Sequence, residues 1–148
     1  MKTFLEWNIE VFLILVHFLS NFLKPVVPMD GVNNNPKYKN PIVLVERWFT
    51  RNVFHFAAKK YLERKGFKVY SLNYPMMKGD FEESALNLKQ FIEKNKISDA
   101  VLVGISGGAT TCFDYLQNHD GWNKTHLFIS IGGSLYGSPL ARLLPIFK

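Results

Sequence analysis

Between Ala100 and Asn118 the chain carries a short apolar run, Ala100–Val103, then Gly104-Ile-Ser106-Gly-Gly108, then a stretch with helical spacing, Ala109–Asn118. A serine held in a tight strand-to-helix turn points its hydroxyl away from the sheet edge, where it can attack an acyl carbon. Such a turn brings neighbouring backbones close, which is why small residues, here Gly104 and Gly108, flank the serine two positions away on each side. The helix that follows aims its free N–H groups and the positive end of its dipole at the same spot, so that negative charge developing on a reacting oxygen is stabilised. The N–H of Gly107 is the nearest such donor. Two other uses of these residues stay open: a glycine-rich turn at a helix start can hold an anion such as phosphate, or can simply be a turn.

The elements needed to position Ser106 are legible on either side of it. Ile42–Val45 is a short run rich in β-branched residues and reads as a buried strand. Val53–Lys65 has apolar residues at helical spacing (Phe54, Ala57, Ala58, Tyr61, Leu62), closed by Gly66. Lys68–Leu72 is a second strand. Phe81–Asn95 is a helix opened by Asp80, with Glu83 three residues on, and its apolar face is Phe81, Ala85, Leu88, Phe91 and Ile92. Ala100–Val103 and Leu127–Ile131 are the third and fourth strands, with the helix Ala109–Asn118 between them. Strands alternating with helices of this length predict an α/β fold with a parallel sheet of about four strands and helices flanking it. Sites in such sheets form at the carboxyl ends of the strands. Residues 46–52, 73–80, 104–108 and 132–139 are therefore expected along one edge.

Three stretches carry a resemblance: Pro41-Ile-Val-Leu-Val with the helix and strand ending at Asn73, Asp99-Ala-Val-Leu-Val-Gly-Ile-Ser-Gly-Gly, and Phe128-Ile-Ser-Ile-Gly-Gly-Ser-Leu-Tyr-Gly-Ser-Pro-Leu-Ala141. Together, over about Pro41 to Ala141, they resemble bacterial triacylglycerol lipases and related α/β-hydrolases. The resemblance implies a serine hydrolase of the lipase/esterase kind that cleaves acyl esters, lipid among them, through an acyl-enzyme on Ser106, without cofactor or metal. It implies the backbone N–H of Gly107 as one oxyanion-hole donor and that of Trp48 as the second. At this second donor the chain departs from the lipase pattern. Lipases place His-Gly directly after the first of these strands, whereas here stand Glu46-Arg47. Two other activities belong to the same resemblance: an inactive module that binds lipid or a partner, and an acyltransferase, which passes the acyl group to an acceptor other than water.

In this fold the acid and the base follow the nucleophile on later strands. Asp114, His119, Asp120 and His126 lie downstream of Ser106, but the first belongs to the nucleophile helix, the next two to its far end, and His126 to the start of a strand at the opposite sheet edge. His55, at the start of the first helix, reads as an ordinary helix residue. No triad acid or histidine is identified. The expectation is a partial α/β-hydrolase fold over residues 41–148, completed by further chain or by a complementing carboxyl-terminal polypeptide, with an exposed sheet edge until then.

The amino-terminal residues have a different character. Phe4–Leu23 is apolar, and wound as a helix it gathers Glu6, Glu10, His17, Asn21 and Lys24 into an arc of about 60°. A helix spanning a membrane, one lying in its headgroup region, a cleaved signal peptide and a helix packed on its own domain are the readings. The signal peptide fits least, because Glu6 and Glu10 outweigh Lys2 and no small-residue cleavage site follows. Residues 1–28 are accordingly expected to be a membrane-associating helix and residues 29–40 a linker, with its prolines and Asn33-Asn34-Asn35. If the helix spans, Lys24, Lys37 and Lys39 on its carboxyl side put the domain on the cytoplasmic face.

The net charge of +6 sits in the first half, where eleven Lys/Arg meet five Asp/Glu, against seven of each in residues 76–148. Basic surface of this kind suits an anionic membrane surface. The basic residues form no tight run and no nucleic-acid motif accompanies them, so nucleic acid is not an expected partner. With Cys112 as the single cysteine, no intrachain disulfide can form.

Overall fold

The structure is a computed structural model, and it describes residues 35–46, 53–73 and 81–135. Four strands, β1 (Ile42–Glu46), β2 (Val69–Asn73), β3 (Ala100–Ile105) and β4 (Thr125–Ile131), alternate with three helices, α1 (Val53–Arg64), α2 (Phe81–Lys94) and α3 (Gly107–Asn118). A single 3-10 turn, Gly121–Lys124, leads into β4. The sheet is parallel throughout, in the order β2-β1-β3-β4. This is an α/β fold of the class that the alternation of strands and helices predicts.

Burial follows position in the sheet. All five residues of the central β1 are buried, as expected where helices cover both faces of a parallel strand. On one face Val43, Val45, Tyr70 and Leu102 pack with Ala85, Leu88 and Ile92 of α2 and with Cys112, Tyr115 and Leu116 of α3. On the other face Ile42, Leu44 and Val69 receive Ala58 and Leu62 of α1. At roughly 1.5–3 kcal/mol for each fully buried large aliphatic side chain, these two clusters supply most of the drive to fold.

The helix ends explain themselves locally. Gly66 stands at φ +96°, and the Phe67 N–H reaches back to the Leu62 carbonyl at 3.1 Å, closing α1 with a left-handed cap. α2 closes in the same way at Lys96 (φ 52°), with Ile97 N–H to Ile92 O at 2.9 Å.

Two expected helix faces need correction. Phe81 is 42% exposed rather than part of the α2 core face. Side chains tilt toward a helix's amino terminus, so a ring on the first residue projects past the helix. On α1, Ala58 and Leu62 face the sheet as expected, but Tyr61 is 61% exposed and Lys59 is buried instead, its ammonium 3.0 Å from the Glu63 carboxylate. The helix is turned so that this ion pair, and not the tyrosine, lies against the protein.

Residues 35–40 form neither helix nor strand but are held. The Lys37 N–H donates to Gly66 O at 2.8 Å, Tyr38 stacks on Phe67 at 4.3 Å, and Asn40 donates to Asp99 twice, at 2.7 and 2.8 Å. The amino-terminal segment expected to be a membrane-associating helix lies outside the described residues. Among the described residues no helix is long and apolar enough to cross a membrane.

Candidate functional site

β3 leaves the sheet core at Ile105, and α3 begins at Gly107, two residues earlier than the apolar spacing indicates. Ser106 alone makes the turn between them, at φ 52° and ψ −123°. A non-glycine residue in that region is strained by about 1–3 kcal/mol and persists only where its surroundings over-determine it. Those surroundings are visible. The Ser106 N–H donates to Ile131 O at 2.9 Å, and the Ser106 carbonyl accepts from the Ala109 N–H at 3.0 Å. The turn is thus tied to β4 on one side and to its own helix on the other.

Each flanking glycine has a steric reason. A Cβ on Gly104 would collide with the Ala109 backbone, lying 2.8 Å from its nitrogen, and with Gly108 O at 2.9 Å. A Cβ on Gly108 would run into the backbone of β1, overlapping the Val45 carbonyl and lying 2.9 Å from the Glu46 Cα. The two glycines therefore press α3 against β3 and β1, and that contact seats the helix amino terminus at the strand ends. Gly107, as the first residue of α3, has one of the N–H groups that a helix leaves without an intrahelical acceptor. Ser106, Gly107, Gly104 and Gly108 thus come together as expected, whereas Trp48 lies outside the described residues.

Two further residues at this edge escaped the sequence reading of the site. A side chain on Gly133 would strike the Ala109 Cβ and lie 2.7 Å from the Ser130 hydroxyl, so Gly133 lets the chain leaving β4 close over the start of α3. Its signal was the glycine pair at the end of the strand beside the turn. Glu46, read only as a departure from the lipase pattern, is 5% exposed at the carboxyl end of β1; its Cα lies against Gly108 of α3, while strand alternation places its side chain with Leu44 on the α1 face of the sheet.

The downstream histidines and carboxylates do not reach Ser106. His126 sits at the amino end of β4, where its Nδ1 lies 3.2 Å from Asp99 Oδ1. That pair belongs to the opposite edge of the sheet, beside Asn40 and Lys39. Asp114 accepts from Asn118 one turn on within α3, and His119 caps the far end of that helix, its N–H on Tyr115 O at 3.1 Å. The side chain of His55 lies outside the described residues. Among the described residues no three His, Cys, Asp or Glu side chains gather as a metal site would need. Burial alone pushes the Cys112 thiol up, well beyond the usual thiol range, so that it stays protonated and unreactive in the core.

No protein-family model and no curated protein matches the chain. Among solved structures it is similar to the Bacillus licheniformis lipase BlEst2. For the mature form the TM-score is 0.56 at 24% identity, over 77% of this chain and 49% of that one. For the propeptide form the TM-score is 0.55 at 22% identity, over 76% of this chain and 27% of that one. The chain thus spans about half the length of the mature lipase and about a quarter of the propeptide form. At such identity the likeness concerns the fold: a four-stranded parallel sheet with flanking helices, matching part of a lipase-like α/β fold.

Proposed function

We propose that this chain is the nucleophile-bearing part of a serine hydrolase of the lipase/esterase kind, with Ser106 attacking the carbonyl carbon of an acyl ester. The observation that carries the reading is the conformation of Ser106. It is a strained non-glycine residue at a strand-to-helix turn, with glycines at both flanking positions where any side chain would meet backbone. In the proposed step the Ser106 oxygen bonds to the acyl carbon, the carbonyl oxygen takes up negative charge facing the Gly107 N–H, and collapse expels the alcohol to leave an acyl-serine. Water then releases the acid. The Ser106 proton needs a base, and an acid to orient it. With His126 and His119 at the other edge, these two groups come from sequence outside the described residues or from a complementing polypeptide.

A fluorophosphonate probe tests the reading directly, because it forms a covalent bond only with an activated serine. The protein is expected to label at Ser106, alone or when supplied with its complement, and Ser106→Ala to abolish labelling. Equal labelling of the two proteins removes Ser106 from this role. The second reading, an inactive module of the same fold that binds lipid or a partner, is favoured by the Asp99–His126 pair, which holds this downstream histidine at the far edge. It predicts no labelling under any condition.

A further inference from the structure

One face of the sheet is only half covered. Leu127, Ile129 and Ile131 of β4 are 48%, 40% and 51% exposed. Their register partners are Val101, Val103 and Ile105 of β3. Val101 and Val103 belong to the face that carries Ile42, Leu44 and Val69, and there α1 supplies Ala58 and Leu62. The strip thus consists of the exposed β4 residues and the half-buried β3 residues beside them, and it lies beside α1, on the side away from α2 and α3. Neighbouring strands stand about 4.8 Å apart and packed helices about 8–10 Å apart, so a single helix covers two strands. The strip has the width of one helix.

We infer that this strip is the seat of the amino-terminal segment Phe4–Leu23, which packs there as a helix beside α1. A second copy of the chain is a poor occupant. Three half-exposed aliphatic side chains offer a few hundred Å² at most, against about 800 Å² per partner in a stable pair. A strand of seven residues is about 23 Å long, and a helix of twenty residues, about 30 Å long, spans it completely. Within residues 1–148, the stretches 47–52 and 74–80 are too short for this, and 136–148 are broken by Pro139 and Pro145. Phe4–Leu23 is long enough, and Glu6, Glu10, His17 and Asn21 share one narrow arc, while the opposite face carries Phe12, Leu15, Leu19 and Phe22 with Asn8 as its one polar residue. Residues 24–34 join it to the held stretch that begins at Asn35, and eleven residues extend to about 35 Å, enough to reach any part of a sheet of this size.

Cysteine chemistry on the full chain tests the assignment in a Cys112→Ala background. Ile129→Cys on the strip and Leu86→Cys on α2 replace side chains of nearly equal exposure, 40% and 41%. If Phe4–Leu23 covers the strip, Ile129→Cys reacts with a maleimide at least tenfold more slowly than Leu86→Cys without any membrane present. Under mild oxidation, Ile129→Cys is expected to form an intramolecular disulfide with Leu15→Cys and not with His17→Cys on the polar arc. Equal labelling rates overturn the assignment. So does a disulfide between two chains, which assigns the strip to a second copy. Protection of Ile129→Cys that appears only on adding anionic phospholipid vesicles overturns it too, because a membrane surface is then the occupant.

Discussion

The Ser106 N–H donates to the Ile131 carbonyl at 2.9 Å, so the pairing of β3 with β4 continues into the turn that holds the candidate nucleophile. The edge of the sheet, and not the serine's own preference, sets its backbone. Replacing Ser106 therefore has two separable effects, one on chemistry and one on strain. Ser106→Ala and Ser106→Gly both lose the hydroxyl, but only glycine occupies φ 52°, ψ −123° without steric cost. The glycine variant is expected to be more stable than the alanine variant by about 1 kcal/mol in urea unfolding. An alanine variant of equal or greater stability removes strain from the account of this turn.

The glycines around the turn are expected to differ sharply in tolerance. Gly108→Ala drives a methyl into the Val45 and Glu46 backbone, which no rotamer can relieve, and α3 must lift from β1. The cost is roughly 1–3 kcal/mol, and any labelling of Ser106 should fall with it. Gly132→Ala meets nothing within 4 Å and suffers only from φ +61°, about 1 kcal/mol. Urea midpoints of the two variants measure the difference.

Alkaline pH should weaken the fold through two buried groups. Burial raises the Cys112 thiol, and burial first, then the charges of Glu93 and Cys112, push the Tyr115 hydroxyl up to about 12. Both groups keep their protons in the folded chain at a pH where the unfolded chain has lost them. Their stabilisation is complete below the ordinary values of 9.0 and 10.0 and drains away as pH rises above them. The urea midpoint is expected to hold up to about pH 9 and to fall beyond it, less steeply in Cys112→Ala. A midpoint that stays level to about pH 11 contradicts this.

Asn40 joins the entry of β1 to the turn before β3 through its two bonds to Asp99, whose φ is 53°. Asn40→Ala is expected to cost about 0.5–1 kcal/mol, since these bonds are exposed to water. The loss should appear as faster amide exchange at Val101, whose N–H donates to Pro41 O at 2.8 Å. Exchange that is faster across the whole sheet by the same factor indicates a global effect instead.

What the sequence determined by itself is local. Each strand and helix announces itself through the spacing of its own apolar residues, and their alternation requires a parallel sheet. The strand–Gly104-x-Ser106-x-Gly108–helix pattern marks the turn because the steric need for small residues is written at the turn itself. What only the tertiary structure decided depends on which elements meet. Gly107 and Gly108 read as loop, yet they open α3, because the close approach to Val45 stabilises helix where glycine propensity alone does not. Tyr61 and Lys59 exchange places because α1 is rotated by the Lys59–Glu63 pair and by its seat on Ile42, Leu44 and Val69. Leu127, Ile129 and Ile131 have the composition of a buried strand and are exposed because β4 is last in the order β2-β1-β3-β4 and α1 stands at the other side. Strand order is a long-range choice made by helices packing across the sheet, and a residue's own neighbours in sequence carry no record of it.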